Sequence, residues 1–207
     1  LDAGELRPGQ EPLTPEEKPS SPVIGSTWIS PVDGMVLQYV PAGEFEMGSK
    51  NGYPDEEPVH TASVDAFWMG KTEVTNEMYS LCIEANACSS LSRTDYYSRD
   101  ASSANYPVVF VSWNDASQYC EWTGGRLPTE AEWEFAACGT DGRDYPWGNQ
   151  FACSRGNFDD ETSEDPESVS GGPNCDGYQY LAPVGTFPDG VSPSGLLDMS
   201  GNVWEWV

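Results

Sequence analysis

The pattern of apolar and polar positions becomes strand-like from Met35 to Val40 and again from Glu44 to Met47, which predicts two strands. Pro41-Ala42-Gly43 stands between them as a turn, so the reading is a hairpin opening the domain. Ala62 to Met69 reads as a further strand, Thr75 as the cap of a helix reaching about Glu84, and Pro107 to Val111 as a short apolar run. Ser112 is expected to cap a segment running to Trp122. Asp115 stands at its third position, and Gly124-Gly125 supplies residues able to take positive φ at its end. Thr129 followed by Glu132 is a capping box, predicting a helix from about Glu130 to Ala137. Trp133, Ala136 and Ala137 share one stripe of that helix, and Glu130 opens it, where the helix dipole favours negative charge. After Tyr145 the pattern dissolves into Gly, Asp, Ser and Pro until Trp204. The class expected is α+β, rich in irregular structure and without internal repeats.

Residues 1–30 differ in kind. Pro8, Pro12, Pro15, Pro19 and Pro22 alternate with Glu and Ser, and such a segment buries too little apolar surface to fold alone. It reads as an extended arm or linker, and residues 31–207 as one domain. The domain has ample aromatic material for a core, with 8 Trp and 10 Tyr. Acidic residues outnumber basic ones 34 to 9, and the net charge of −25 repels nucleic acid and anionic membrane surfaces. No apolar run approaches the roughly 18 residues of a membrane span, so neither nucleic acid nor membrane insertion is expected. Leu1 begins no charged or apolar leader, which reads as a processed or trimmed chain.

Six cysteines without a CxxC pair, beside the single His60, argue for disulfides rather than zinc. Local pairing is expected for Cys82 with Cys88 and for Cys153 with Cys175, the second pair flanking a loop with little apolar content. Cys120 and Cys138 would then tie two helices together. An even count in an acidic chain points to an oxidising compartment, hence to secretion or the cell surface. One histidine supports no Ser-His-Asp triad, no GxSxG, phosphate loop or HExxH occurs, and adjacent acids such as Asp159-Asp160 diverge, so no catalytic residue is assigned.

Several words of the chain carry a resemblance. They are Pro41-Ala42-Gly43-Glu44-Phe45-Glu46-Met47-Gly48, Glu73-Val74-Thr75-Asn76, the run from Gly124 to Ala137, Tyr145-Pro146-Trp147-Gly148-Asn149, and Gly201-Asn202-Val203-Trp204-Glu205-Trp206. In this order they resemble the sulfatase-modifying-factor family, whose founding member is the formylglycine-generating enzyme. The resemblance implies a C-type-lectin-like fold, with the C-terminal part apparently missing. It also implies calcium: Asn157, Phe158, Asp176 and Tyr178 look like one of the family's sites, and Asn202, Val203 and Glu205 like part of a second. Oxygen donors of these types suit Ca²⁺. For Cys120 and Cys138 the resemblance implies partners further along the chain instead.

The catalytic copper of the formylglycine-generating enzyme is held by two cysteines that follow a WEW-type motif at some distance, and none of the six cysteines here lies there. Copper is therefore expected only with a further C-terminal part, and the family's histidine-ligated iron chemistry fails on His60 alone. The sequence reading is an extracellular, calcium-ordered, non-catalytic structural or ligand-binding module. Its expected partner is a protein or carbohydrate ligand, or copies of itself through the 1–30 arm, the alternative for that arm being a tether. The other readings are a fragment of a copper-dependent oxidase acting on a sulfatase cysteine and a lectin-like receptor module.

Overall fold

The computed structural model describes residues 17–50, 54–91, 103–158 and 176–207. Among the described residues, five strands and three α-helices are set into long irregular connections: β1 Thr27–Ile29, β2 Val36–Val40, β3 Gly43–Met47, β4 His60–Val64, β5 Phe67–Gly70, α1 Asn76–Glu84, α2 Trp113–Trp122 and α3 Glu130–Cys138. The strands form two antiparallel sheets, one ordered β1-β2-β5 and the other a β3-β4 pair.

This topology corrects the expected hairpin. β2 and β3 follow one another closely but belong to different sheets, β2 pairing Tyr39 with Trp68 and β3 pairing Phe45 with Ala62. Pro41 has no amide to donate, and Gly43 starts β3 directly against α3. A Cβ there would stand 2.6 Å from the Phe135 ring, so the chain crosses the helix instead of turning back on itself. The strand expected from Ala62 to Met69 is likewise two strands, interrupted at Asp65 and Ala66, which lets the chain pass from one sheet to the other. β1 lies within the segment read as an arm, and pairs Trp28 with Leu37.

The helices follow their local signals. Thr75 accepts from the Met78 amide at the start of α1, and Ser112–Asp115 and Thr129–Glu132 both close capping boxes. Glu132 is also bound by both terminal nitrogens of Arg126, at 2.7 and 2.6 Å. This bidentate guanidinium holds its carboxyl well below the usual range, at about 2. Gly124, at φ 84°, follows the C-cap of α2.

Two apolar clusters result. α3 packs Phe135, Ala136 and Ala137 against Val40, Phe45, Val64, Leu196 and Met199, joining both sheets to the C-terminal loop. Tyr79 and Cys82 of α1, Cys88, and Tyr119 of α2 make the second cluster. Cys82 and Cys88 form a disulfide that staples the C-terminal end of α1. No helix among the described residues is long and apolar enough to cross a membrane.

Candidate functional site

Loop segments around residues 153–158, 176–182 and 195–205 meet in front of Glu73, which precedes α1. Gly177 adopts φ 86°, and the turn it makes lets Asp176 fold its carboxylate over its own chain. Oδ1 of Asp176 accepts from the Tyr178 amide at 2.8 Å, and Oδ2 from the Phe158 amide at 2.9 Å. Asn157 is buried beside them and donates through Nδ2 to the Tyr180 carbonyl at 2.7 Å and to Oδ1 of Asn202 at 3.0 Å. Asn157, Phe158, Asp176 and Tyr178 are thus gathered from two loops.

Each Asp176 oxygen retains a lone-pair direction beyond its single N–H partner, and both contacts described for Asn157 use its nitrogen, not its amide oxygen. This donor chemistry fits a hard cation. Among the described residues no three His, Cys, Asp or Glu side chains stand close enough to hold a metal. A calcium ion here would accordingly depend on the Asp176 carboxylate, the Asn157 amide oxygen and main-chain oxygens of Phe158 and Tyr178.

The second expected set, Asn202, Val203 and Glu205, lies beside the first and makes bonds of its own. Asn202, in the left-handed region at φ 63°, donates its main-chain amide to the Asn157 carbonyl at 2.8 Å. Its Oδ1 accepts from Asn157 and from the Ala182 amide at 2.9 Å, which fills both acceptor directions of that oxygen. Its Nδ2 donates to Oε1 of Glu73 at 2.8 Å and to the Ala182 carbonyl at 3.3 Å. Glu205 accepts the Trp133 indole N–H at 2.9 Å, fastening the C-terminal segment to α3. Val203 lines an open cleft. Asn202 and Glu205 therefore act as bonds between elements.

Sequence reasoning leaves Glu73 and Asp198 without a role. Both are buried, at 8 % exposure. Asp198 takes the Gly185 amide at 2.6 Å. Glu73 accepts from Asn202 on one oxygen, while its Oε2 has no donor. Burial, followed by repulsion from Asp198 and Glu205, pushes the Glu73 carboxyl up to about 9. Burial likewise lifts Glu205 to about 7, opposed by its indole partner. A neutral carboxyl at this position can carry its proton on the oxygen that accepts nothing. The signal available in sequence is the position of Glu73 inside the Glu73-Val74-Thr75-Asn76 word.

Of the remaining cysteines, Cys153 is disulfide-bonded, and its expected partner Cys175 lies outside the described residues. The bond expected between Cys120 and Cys138 is not formed, and both thiols are free. The reason is packing: Cys120 sits against the Tyr79–Tyr119 cluster and Cys138 against the Phe135–Leu196 cluster. Burial raises each thiol to about 11, so neither is poised as a nucleophile or as a thiolate ligand.

The sulfatase-modifying factor enzyme 1-like domain model matches residues 21–207, nearly the whole described chain. The chain belongs to the sulfatase-modifying factor family. Inactive C-alpha-formylglycine-generating enzyme 2 of Mus musculus is 50% identical over 102 residues, a stretch covering 49% of this chain and 31% of that protein. Formylglycine-generating enzyme of Mycobacterium tuberculosis is 31% identical over 226 residues, covering 81% of this chain and 72% of that enzyme. The solved structure of PvdO from Pseudomonas aeruginosa superimposes with a TM-score of 0.68 at 25% identity, over 90% of this chain and 75% of that one. The fold of the family member described here is thus the α+β, loop-rich arrangement of formylglycine-generating-enzyme-like proteins. The chain spans about a third of the length of the mouse relative.

Proposed function

We propose that this domain is a non-catalytic structural or ligand-binding module of the sulfatase-modifying factor family, ordered by calcium and working in an oxidising, extracellular setting. The observation that carries the reading is the convergence of Asn157 and Asp176, with the main chain of Phe158 and Tyr178, in a region with little regular structure. Calcium bound there would join the loop after the 3₁₀ turn Cys153–Arg155 to the loop preceding Tyr180, and Asn202 would carry that order to Glu73 and α1. The disulfides of Cys82–Cys88 and Cys153 support an oxidising compartment.

A copper-dependent oxidase is the alternative suggested by likeness to the mycobacterial enzyme. That reading needs copper ligands from a further C-terminal part, since Cys120 and Cys138 are buried in different clusters and do not supply them. Likeness to a relative whose name records it as inactive favours the non-catalytic reading.

Thermal melting of chelator-stripped protein, with and without added calcium, tests the proposal. A ligand at about 100 times its Kd adds about 2.7 kcal/mol, which in a domain of this size raises Tm by about 5–10 °C. Asp176→Asn should abolish the increment, while an equal increment in that variant would place the ion elsewhere.

A further inference from the structure

We infer that the aromatic cleft bordered by Trp28 and Trp68 receives a lysine side chain from a partner polypeptide, and that Lys18 of this chain holds that place in the free protein. The inference deepens the ligand-binding half of the proposed function and is independent of calcium.

The cleft has a volume of about 580 Å³, within the range of sites that enclose a side chain or small ligand. One of its walls is an aromatic corner. Trp28 and Trp68 meet edge to face with centroids 6.4 Å apart, and Tyr39 packs on Trp68 at 5.5 Å. The Lys18 ammonium lies 5.2 Å from the Trp28 centroid and 5.7 Å from that of Trp68. Both distances are within the reach of cation–π attraction. The chain thus supplies its own example of the chemistry the corner accepts.

Charge selects the same ligand. Asp33 and, in part, Glu205 add negative charge to the cleft lining, while Glu132 is held by Arg126 at 2.6 Å and Glu73 is neutral. Over the whole chain the net charge of −25 attracts basic partners from a distance. An acidic peptide would meet repulsion, and a neutral apolar one would leave Lys18 in place. Lys18 itself is solvent-exposed and lies outside the strands and helices described above.

The experiment uses the full chain and capped five-residue peptides with a central lysine, norleucine or glutamate. Indole N–H signals of Trp28 and Trp68 in ¹H–¹⁵N spectra report binding. The lysine peptide should shift them, and the norleucine and glutamate peptides should not. Lys18→Gln removes the internal competitor and should tighten the lysine peptide about three- to fivefold, the factor expected for one exposed cation–π contact. Equal shifts from the norleucine peptide, or unchanged affinity in Lys18→Gln, would overturn the inference. Either failure leaves the calcium-dependent melting unaffected, so it is told apart from failure of the calcium reading.

Discussion

Glu73→Gln should stabilise the metal-free protein, and more strongly as pH rises. Glu73 titrates near 9 in the folded protein against 4.5 unperturbed, because burial and then the charges of Asp198 and Glu205 oppose its ionisation. A carboxyl raised on folding leaves stability intact below about pH 4.5. That stability drains away as pH climbs through the window to about 9, since the unfolded chain releases the proton and the folded chain does not. Glutamine keeps an oxygen for Asn202 Nδ2 and offers N–H to Asp198 without any proton to lose. At 1.36 kcal/mol per pH unit the variant should gain about 3 kcal/mol over the parent by pH 7, and almost nothing near pH 4.5. Denaturant melts across pH 4.5–9 check this. A difference that does not change with pH would mean that Glu73 is ionised in the native protein.

Gly201→Ala is expected to be among the most damaging single changes in the C-terminal loop. Gly201 sits at φ 95°, and a Cβ on it would fall well inside the van der Waals contact distance to the Asn157 carbonyl oxygen. Asn202 donates its amide to that same oxygen, so relief of the clash must part the two loops and break the contact. Backbone strain and overpacking together should cost about 3 kcal/mol or more, and calcium affinity should fall with it. Gly177 supplies the control: it has a similar φ of 86° but nothing within 4 Å of an added Cβ. Gly177→Ala should cost only about 1 kcal/mol, the backbone penalty alone. Urea unfolding of the two variants separates close approach from conformational strain.

The helices are legible from local chemistry alone. A Ser or Thr cap with an acid three residues on satisfies amides within one turn, and α2 and α3 begin as Ser112 and Thr129 require. Strand partners are less legible, because an alternating pattern states which face is buried and not which strand lies alongside. Hence β2 and β3 read as a hairpin in sequence, although Gly43 needs closeness to Phe135, a contact made across the length of the domain. The pairing expected of Cys120 with Cys138 fails for the same reason, since membership of separate clusters is a tertiary property. At the candidate site, Asn157 and Asp176 are named in the sequence only by what the family resemblance implies. The burial of Glu73 and Asp198 is not, since acids are abundant in this chain and acidic side chains are ordinarily solvated. Asn202 is read in the sequence as part of a second calcium site, and its four-way bonding emerges only when Glu73, Asn157 and Ala182 are brought around it.

Calcium held between Asn157 and Asp176 is the central claim, and equilibrium dialysis of chelator-stripped protein against calcium, with bound metal measured by elemental analysis, decides it. The expected result is saturable binding that is lost in Asp176→Asn and weakened in Asn157→Ala, and retained in Glu205→Gln, whose carboxylate serves Trp133. No bound calcium at millimolar concentration, or binding untouched by Asp176→Asn, would contradict it.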